Sequence, residues 1–377
     1  MTDSSGLVDF EFTLALNNLT GKYFVCRDVI AGCNGLIGNI WYWRLPLKRP
    51  PPPLAANALG RLAVLELNSR LNHCASRYLP LMYNKRPVVF SDPREVLLYA
   101  LKPCDVVLCH DVGPVTHPCL YHPKVKYMYE AAFEKIRRAK PHMVFVSKSS
   151  LKSFAASYGD DYPSMKTICP PLRLDIVSGP QTPISAAPRR FLLTVGAVGS
   201  RKNHLRALEA FAYSGLAREG YHYVICGGPE PGFGAVADFA RKTQAVILTG
   251  YASDSELRWL YANAAGFVLP SLLEGFGLPT AEAISCGLVP LLSRDGALHE
   301  VAGDRAILVD PLNVKDIAAG MRRLALMNDE ERQERLTALN RSIARFSRQA
   351  AENAWRATLR HALADQTRGE KARHACA

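Results

Sequence analysis

The sequence predicts an α/β protein made of two doubly wound domains, each a parallel sheet flanked by helices. The 377 residues are enough for two to three domains of about 150 residues each. Short apolar runs alternate with helical segments in both halves, which is typical of parallel sheets covered by helices. Glycines follow several of these runs in the second half, where a doubly wound sheet binds its ligand beyond the carboxyl ends of its strands.

The second half gives the clearer pattern. We expect six strands in the apolar runs that begin at Arg190, Tyr223, Ala245, Gly266, Val289 and Ala306. Helices are expected to start near Asn203 and at Ser253. Pro279 fits the first position of another helix, because proline loses no hydrogen bond there.

The first half predicts strands at residues 86–90, 105–109 and 142–146 and a basic amphipathic helix at residues 124–140. Ser147 is expected to cap the next helix. The prolines of residues 44–53 predict an extended loop. The domain boundaries follow from composition: residues 1–176, a linker rich in Pro, Ser and Ala at 177–190, a second domain at 191–345, and a helical segment with a polar, frayed tail at 346–377.

Composition excludes several classes of protein. Apolar residues make up 48% and charged residues 21%, which excludes disorder and coiled coil as the main architecture. No run reaches the roughly 18–20 apolar residues of a membrane span, and the first residues lack the pattern of a signal peptide. Residues 1–188 carry 22 basic and 14 acidic residues, the remainder 24 and 20. This net charge of +12 indicates an anionic partner or serves solubility.

Metal and disulfide sites are not expected. None of the ten cysteines forms a CxxC pair, so they are interpreted as reduced thiols in a cytosolic compartment. The spacing of His110, His117 and His122 matches no familiar set of metal ligands.

The segment from Pro270 to Ala283 is the sharpest candidate site. Glu274 is expected on a glycine-rich loop and Glu282 in the first turn of the helix that follows. Loop amides beside a helix N-terminus bind anions, and ionised carboxylates accept hydrogen bonds from the hydroxyls of a sugar or ribose. A helix cap with a solvated glutamate is the alternative.

Two weaker constellations follow predicted strands. Arg201 and Lys202 come after Gly196, and a guanidinium and an ammonium together suit a diphosphate. As a loop residue, Lys202 is expected to contribute little to folding. His110 and Asp111 could orient a substrate hydroxyl or shuttle a proton; a buried pair with structural purpose is the alternative.

Taken in order, these segments resemble the nucleotide-sugar glycosyltransferases of family 4, in their mannosyltransferase-like branch. The matching pieces lie at Val195-Gly196, Arg201-Lys202-Asn203, Val224–Gly228, Thr249-Gly250-Tyr251, Glu274-x7-Glu282 and Gly296–Gly303, with Thr20-Gly21-Lys22-Tyr23 and His110-Asp111 as looser matches in the first half. The resemblance implies the GT-B fold: two Rossmann-like doubly wound domains facing a central cleft. The first domain would bind the acceptor and the second the nucleotide sugar, and the last helix would return to the first domain.

The resemblance also implies roles for individual residues. Arg201 and Lys202 would bind the diphosphate, and Arg201 is the candidate to replace an arginine that many relatives carry where this chain has Ala197. His110 would line the reaction centre. Glu274 and the backbone of Gly275, Phe276, Gly277 and Leu278 would hold the transferred sugar, Glu282 the ribose, and Gly196, Gly250 and Tyr251 the nucleotide, while Gly21 and Asp111 would lie on the acceptor side.

The activity implied is that of a retaining, metal-independent hexosyltransferase without a cofactor. GDP-mannose is the preferred donor, and UDP-hexose and dTDP-rhamnose stay open. The acceptor would be lipid-linked or a growing polysaccharide, and no nucleic acid is expected. The cations of residues 124–140 could bind an anionic membrane at its cytoplasmic face; a solvated helix face is the alternative. A sugar-nucleotide epimerase of similar fold and a nucleic-acid-binding protein are the competing functions.

Overall fold

The computed structural model describes residues 6–16, 21–71 and 80–375 of the chain. Thr20, Cys74 and Cys376 lie outside the described residues. The chain divides into two compact units. The N-terminal unit comprises Met1–Pro170 and Arg348–Ala377, and the C-terminal unit comprises Pro171–Ser347. The C-terminal unit thus starts before the predicted linker.

The strands and helices alternate along both units. The strands are β1 Val8–Glu11, β2 Ile37–Tyr42, β3 Leu45–Leu47, β4 Val88–Phe90, β5 Val106–Cys109, β6 His142–Phe145, β7 Met165–Thr167, β8 Phe191–Val195, β9 His222–Cys226, β10 Val246–Gly250, β11 Gly266–Leu269, β12 Pro290–Ser293 and β13 Ile307–Val309. The helices are α1 Thr13–Leu16, α2 Gly21–Gly32, α3 Pro53–Leu71, α4 Gly113–Thr116, α5 Pro123–Ala139, α6 Lys148–Tyr158, α7 His204–Ser214, α8 Phe233–Lys242, α9 Asp254–Asn263, α10 Leu278–Ser285, α11 Ala297–Ala302, α12 Val314–Ala325, α13 Asp329–Ile343 and α14 Arg348–Ala375.

The sheet of the C-terminal unit has the strand order β10-β9-β8-β11-β12-β13 in the described residues, and all its pairings are parallel. The central strands β8, β11 and β12 are buried throughout, as their continuous apolar sequence requires. The chain winds outward from β8 in one direction and then restarts at β11 on the other side. The crevice between β8 and β11 is therefore the topological switch point, where doubly wound sheets bind ligands.

The sheet of the N-terminal unit has the order β3-β2-β1-β4-β5-β6-β7 in the described residues. Its pairings are parallel except for the hairpin of β2 and β3. Its core joins buried side chains of β4, β5 and β6 to α5, with Phe90, Phe133 and Phe145 fully buried. The switch point of this sheet lies between β1 and β4.

The predicted strands and caps are largely confirmed. All six runs of the second half and the three of the first half form strands. Ser147 caps α6, and Ser253 forms a capping box with Glu256 at α9. Pro279 is the second residue of α10 and not the first, because Gly277 caps the helix and Leu278 begins it.

Other expectations were wrong. Residues 44–53 are not one extended loop, because Leu45–Leu47 pairs with β2 and Pro53 begins α3. The backbone of α14 stays helical to Ala375, where a frayed tail was expected.

No helix within the described ranges combines the length and apolarity needed to cross a membrane. The cysteines within the described ranges are free thiols. They are Cys26, Cys33, Cys104, Cys109, Cys119, Cys169, Cys226 and Cys286.

Gly320 provides a test of how tightly α12 packs on the sheet of the C-terminal unit. A Cβ atom at Gly320 would lie 2.7 Å from Leu291 Cδ1 and 2.9 Å from Val309 Cγ1. Gly320→Val should therefore destabilise the protein by about 1–3 kcal/mol, since overpacking forces neighbouring side chains to move. Urea unfolding followed by circular dichroism should show a lower midpoint.

Gly234→Ala in α8 is the matched control for this substitution. A Cβ at Gly234 meets no atom within 4 Å, so the alanine should be neutral or stabilise by up to about 1 kcal/mol. Equal midpoints for the two variants would contradict the packing described for α12.

Candidate functional site

Arg201, Lys202 and Glu274 come together at the switch point of the C-terminal unit. Lys202 Nζ donates to Glu274 Oε1 at 2.6 Å, and Arg201 Nη1 donates to Glu274 Oε2 at 3.2 Å. The two cations follow β8 and the carboxylate follows β11, so the ion pairs bridge the two strands that flank the crevice. Ser271 Oγ also donates to Glu274 Oε1 at 3.0 Å. We call Arg201, Lys202, Glu274 and Ser271 the switch-point cluster.

The loop that carries both cations is tied to the strand across the crevice. Leu272 N donates to Arg201 O at 2.9 Å. Asn203, which caps α7 in a left-handed conformation, donates its side-chain amide to Pro270 O at 3.0 Å and to Pro311 O at 2.6 Å. These bonds fix the backbone on both sides of Lys202, so that the charged groups are positioned by the loop as well as by one another.

Gly196 allows Lys202 to reach the cluster. A Cβ atom at Gly196 would lie 2.5 Å from Lys202 Cε and 2.9 Å from Nζ. Its φ of +133° is also one that residues with a side chain rarely adopt. Lys202 is only 5% exposed. Its small expected contribution to folding stays a prediction.

Glu274 is buried but ionised. Burial alone would raise the pKa of Glu274, but the charges of Lys202 and Arg201 outweigh it and lower that pKa to about 2. A solvated glutamate at a helix cap is therefore not what the structure shows. The bond to Glu274 uses one of the three N–H donors of the Lys202 ammonium. Arg201 also donates from Nη1 to Leu273 O at 3.2 Å and from Nη2 to Glu230 Oε2 at 3.4 Å.

Glu230 is a member of this region that the sequence analysis missed. Its Oε2 accepts from Arg201 Nη2 at 3.4 Å, and its Oε1 is buried without a hydrogen-bond partner among the described residues. Burial raises the pKa of Glu230. The signal that could have revealed it is position: Glu230 follows β9, the neighbour of β8, at the same edge of the sheet.

Glu282 lies apart from the switch-point cluster in its contacts. It is the fifth residue of α10, just beyond the first turn where it was expected. Tyr261 Oη donates to Glu282 Oε2 at 2.9 Å, and Arg173 Nη1 lies 3.6 Å from Oε1. Burial raises the pKa of Glu282, and the charge of Arg173 offsets only part of that effect. The two glutamates of the motif thus have opposite pKa shifts.

The glycine-rich segment between the two glutamates is packed against the unit's core. Gly277 has a φ of +101°, and a Cβ there would lie 2.5 Å from Leu298 Cδ2. The Phe276 ring packs edge-on against Phe346, with ring centroids 5.0 Å apart. Gly275 and Leu278 complete this turn into α10.

Gly250 and Tyr251 lie at the end of β10, at the edge of the sheet. Gly250 has a φ of +69°, and the Tyr251 side chain is largely exposed. A Cβ atom at Gly228 would lie 2.5 Å from Tyr251 Cε2, so the tyrosine ring covers the backbone after β9.

In the N-terminal unit, His110 and Asp111 have separate partners and do not form the pair that was considered. His110 Nε2 lies 3.2 Å from Ser91 O, whereas Asp111 Oδ1 accepts from Gly113 N at 2.9 Å. Burial, followed by the charge of Lys22, lowers the pKa of His110 to about 3. His110 is therefore neutral at physiological pH.

The switch point of the N-terminal unit holds a second ionic cluster, which the sequence analysis missed. Asp92 is 1% exposed and accepts from Lys22 Nζ at 2.9 Å, Tyr129 Oη at 3.0 Å and Arg94 at 2.8 and 3.0 Å. Burial disfavours its charge, but Arg94 and Lys22 hold the pKa of Asp92 well below its usual value. Lys22 is the second residue of α2, directly after Gly21.

No group of three or more His, Cys, Asp or Glu side chains that could hold a metal ion occurs in the part of the chain that the structure describes.

The pKa of Glu274 predicts an acid-sensitive contribution to stability. Because the folded pKa of about 2 lies below the ordinary 4.5, ionised Glu274 stabilises the fold fully above pH 4.5, and this is lost as the pH falls from 4.5 toward 2. The contribution is on the order of 3 kcal/mol. Urea midpoints of the wild type and Glu274→Gln should differ most at neutral pH and converge on acidification. A difference that stays constant or grows toward low pH would contradict the ion pairing.

Comparison with known proteins supports one family. The family model for glycosyl transferases group 1 matches residues 181–342, which make up most of the C-terminal unit. The chain is 29% identical over 263 residues to O-antigen chain mannosyltransferase B of Escherichia coli, covering 66% of this chain and 67% of that protein. It is 34% identical over 170 residues to the serotype-specific mannosyltransferase WbdA of Escherichia coli, covering 42% of this chain but 20% of the relative.

Solved structures support the fold over nearly the whole chain. A UDP-forming α,α-trehalose-phosphate synthase from Burkholderia xenovorans superposes with a TM-score of 0.67 at 12% identity, covering 94% of this chain and 98% of that one. At this identity the likeness shows the fold alone. The resemblance drawn from the sequence is thus confirmed: residues 181–342 match the glycosyl transferases group 1, the chain is similar to O-antigen mannosyltransferases, and it has the GT-B fold.

Proposed function

We propose that the protein transfers mannose from GDP-mannose, with retention at the anomeric carbon and without a metal, to a hydroxyl of a lipid-linked or polysaccharide acceptor in O-antigen synthesis. The observation that carries this proposal is the switch-point cluster, because it places two cations and a carboxylate at the crevice where this fold binds ligands. The similarity to O-antigen mannosyltransferases supports mannose and the O-antigen.

The chemistry requires stabilisation of a leaving diphosphate. In the proposed reaction the acceptor oxygen bonds to the anomeric carbon while the bond from that carbon to the diphosphate oxygen breaks. The acceptor's proton passes to the departing phosphate. Arg201 and Lys202 offset the charge that grows on the diphosphate, and their positions are fixed before the reaction by Glu274 and the loop bonds.

Glu274 is proposed to hold the transferred sugar by accepting hydrogen bonds from its hydroxyls, together with the backbone of residues 275–278. Glu282 is proposed to hold the ribose. Because its pKa is raised, Glu282 is the more easily protonated of the two glutamates, and a protonated carboxyl both donates and accepts. That suits hydroxyl groups, which do the same.

His110 is proposed to act on the acceptor side as a neutral hydrogen-bonding group. The pKa of about 3 that burial and Lys22 give it leaves no imidazolium at physiological pH. Gly21 and Asp111 are proposed to lie on the same side, at the carboxyl edge of the N-terminal sheet.

The competing function is that of a sugar-nucleotide epimerase of similar fold. Such an enzyme would release a free sugar without an acceptor, and product analysis distinguishes the two.

A nucleotide panel tests the donor site. Thermal-shift and calorimetric titrations with GDP, UDP and dTDP should show GDP binding most tightly.

Glu282→Ala should weaken GDP binding by about tenfold or more, because the ribose hydroxyls lose a buried partner. Glu282→Gln should stay within a few-fold of the wild type, since an amide also donates and accepts. Glu334→Ala, at an exposed position of α13, is the control. Preference for another base would refute GDP-mannose, and unchanged affinity in Glu282→Ala would refute the ribose role.

Lys202→Met tests the diphosphate role. Methionine keeps the aliphatic contact with Gly196 and removes the charge, so turnover should fall by about 10²–10³-fold. Mannose transfer and GDP release should be measured together. Lys242→Met, at the exposed end of α8, should leave turnover unchanged. Full activity in a folded Lys202→Met protein would show that this lysine does not assist departure of the diphosphate.

A further inference from the structure

Glu230 is the acidic group at the C-terminal switch point whose role the proposed reaction does not account for. It follows β9, and its side chain is 16% exposed. Its Oε2 accepts from Arg201 Nη2 at 3.4 Å, whereas Oε1 is buried without a hydrogen-bond partner among the described residues. A carboxylate oxygen that loses water and gains no donor is costly. This environment therefore opposes the ionised form of Glu230.

The backbone fixes Glu230 against the loop that carries Arg201. Glu230 N donates to Val198 O at 2.9 Å, and Val198 N donates back to Gly228 O at 2.7 Å. A Cβ atom at Gly199 would clash with Glu230 Cγ, so the glycine leaves the space that the glutamate side chain fills. The contact between Glu230 and Arg201 is thus built by the fold of the two loops and does not depend on a flexible surface side chain.

Arg201 lies between two carboxylates that come from different strands. Its Nη2 donates to Glu230, after β9, and its Nη1 donates to Glu274, after β11. Lys202 donates to Glu274 as well, at 2.6 Å. These four groups together carry no net charge when all of them are ionised. A nucleoside diphosphate adds negative charge to them, so its binding favours the loss of a negative charge from one of the two carboxylates.

Glu230 is the carboxylate that gains a proton more easily. Lys202 and Arg201 are both at hydrogen-bond distance from Glu274 and lower its pKa to about 2, whereas burial raises the pKa of Glu230 despite the attraction of the same two cations. The charge of Glu274 adds to that rise. His204, at the start of α7, also faces these cations. Burial lowers the pKa of His204 to about 4, so it stays neutral near physiological pH.

We propose that Glu230 is a positioning residue for Arg201 and that it takes up one proton when a nucleoside diphosphate sugar binds to the switch-point cluster. The protonated carboxyl still accepts from Arg201 and holds the guanidinium in place, but it no longer opposes the positive charge that Arg201 presents to the diphosphate. The proton comes from the solvent and returns to it when the diphosphate leaves. This inference rests on the proposed function, because it takes Arg201 as a ligand of the diphosphate.

Calorimetric titration in buffers of different ionisation enthalpy tests the inference, because the dependence of the measured heat on that enthalpy counts the protons exchanged. GDP-mannose and UDP-glucose, without acceptor, are suitable probes, since their diphosphates are diesters that do not titrate near neutral pH. The wild type should take up as much as one proton per bound donor. Where it does so, donor affinity should rise by up to about tenfold for each unit by which the pH falls.

Glu230→Gln should remove both effects. Glutamine resembles the protonated acid and still accepts from Arg201, so the variant should bind the donor with little proton uptake and with an affinity that changes little with pH. Glu282→Gln is the matched control. It removes the other glutamate at which burial raises the pKa, and Glu282 pairs with Arg173 and not with Arg201. Proton uptake should persist in this control.

Turnover separates positioning from a purely structural role. Glu230→Ala should lower mannose transfer by about tenfold or more, because Arg201 loses a hydrogen bond that orients it. Glu230→Gln should restore most of that activity, since the amide keeps the bond. Circular dichroism should confirm that both variants fold. The titrations of the wild type and of Glu230→Gln decide the inference if the alanine variant does not fold.

The inference and the proposed function fail in different ways. Preference for UDP-glucose would refute GDP-mannose as the donor, and the proton count with UDP-glucose would then decide the role of Glu230. Donor binding without proton uptake in the wild type, or uptake lost only in Glu282→Gln, would overturn the inference and leave the donor site intact. Weaker binding by Glu230→Gln at every pH would also overturn it, because the donor would then need the ionised carboxylate. Absence of binding by either donor would refute both.

Discussion

The ion pair between Lys202 and Glu274 is the interaction on which the candidate site depends. It joins the loop after β8 to the loop after β11, and these two strands define the switch point of the sheet. Neither charge would be stable alone, because both side chains are less than a tenth exposed and an unpaired buried charge is costly. Each partner therefore makes the other's burial possible. The pair holds a cation and a carboxylate at the switch point of the sheet, where doubly wound folds bind ligands.

The same arrangement recurs at the switch point of the N-terminal unit, with a different outcome. Lys22 follows β1 and meets Asp92, which follows β4, much as Lys202 follows β8 and meets Glu274 after β11. Asp92 also accepts hydrogen bonds from two side-chain N–H groups of Arg94 and from the hydroxyl of Tyr129. Glu274 accepts from Lys202 Nζ, from Arg201 Nη1 and from the Ser271 hydroxyl. The proposed function places ligand binding at the second cluster, in the C-terminal unit.

The sequence predicted the parts of the fold that depend on local pattern. Continuous apolar runs predicted every strand of the C-terminal sheet, because a buried parallel strand needs no polar face. In the first half, β1 and β2 were not predicted, because charged and polar residues interrupt their apolar runs. Asp9 and Glu11 are buried there only because partners distant in the chain satisfy them: Trp41 donates to Asp9, and Tyr99 donates to Glu11. The residues of the candidate site divide in the same way, into those that local pattern predicted and those that depend on distant contacts. Arg201, Lys202 and Glu274 stood out by position after strands, whereas Arg173 became visible only through its contact with Glu282.

The opposite pKa shifts of Glu274 and Glu282 show why spacing alone did not define their roles. From the sequence both appeared as ionised acceptors. In the structure two cations at hydrogen-bond distance overcome the burial of Glu274, while a single guanidinium at 3.6 Å does not overcome that of Glu282. Coulomb attraction at a buried site weakens little with a few tenths of an ångström, so the number of hydrogen-bonded cations decides the outcome more than distance does. Glu274 thus has a fixed negative charge that orders Arg201 and Lys202. Glu282 has a raised pKa instead, so the two carboxylates of one motif differ in how readily they take up a proton.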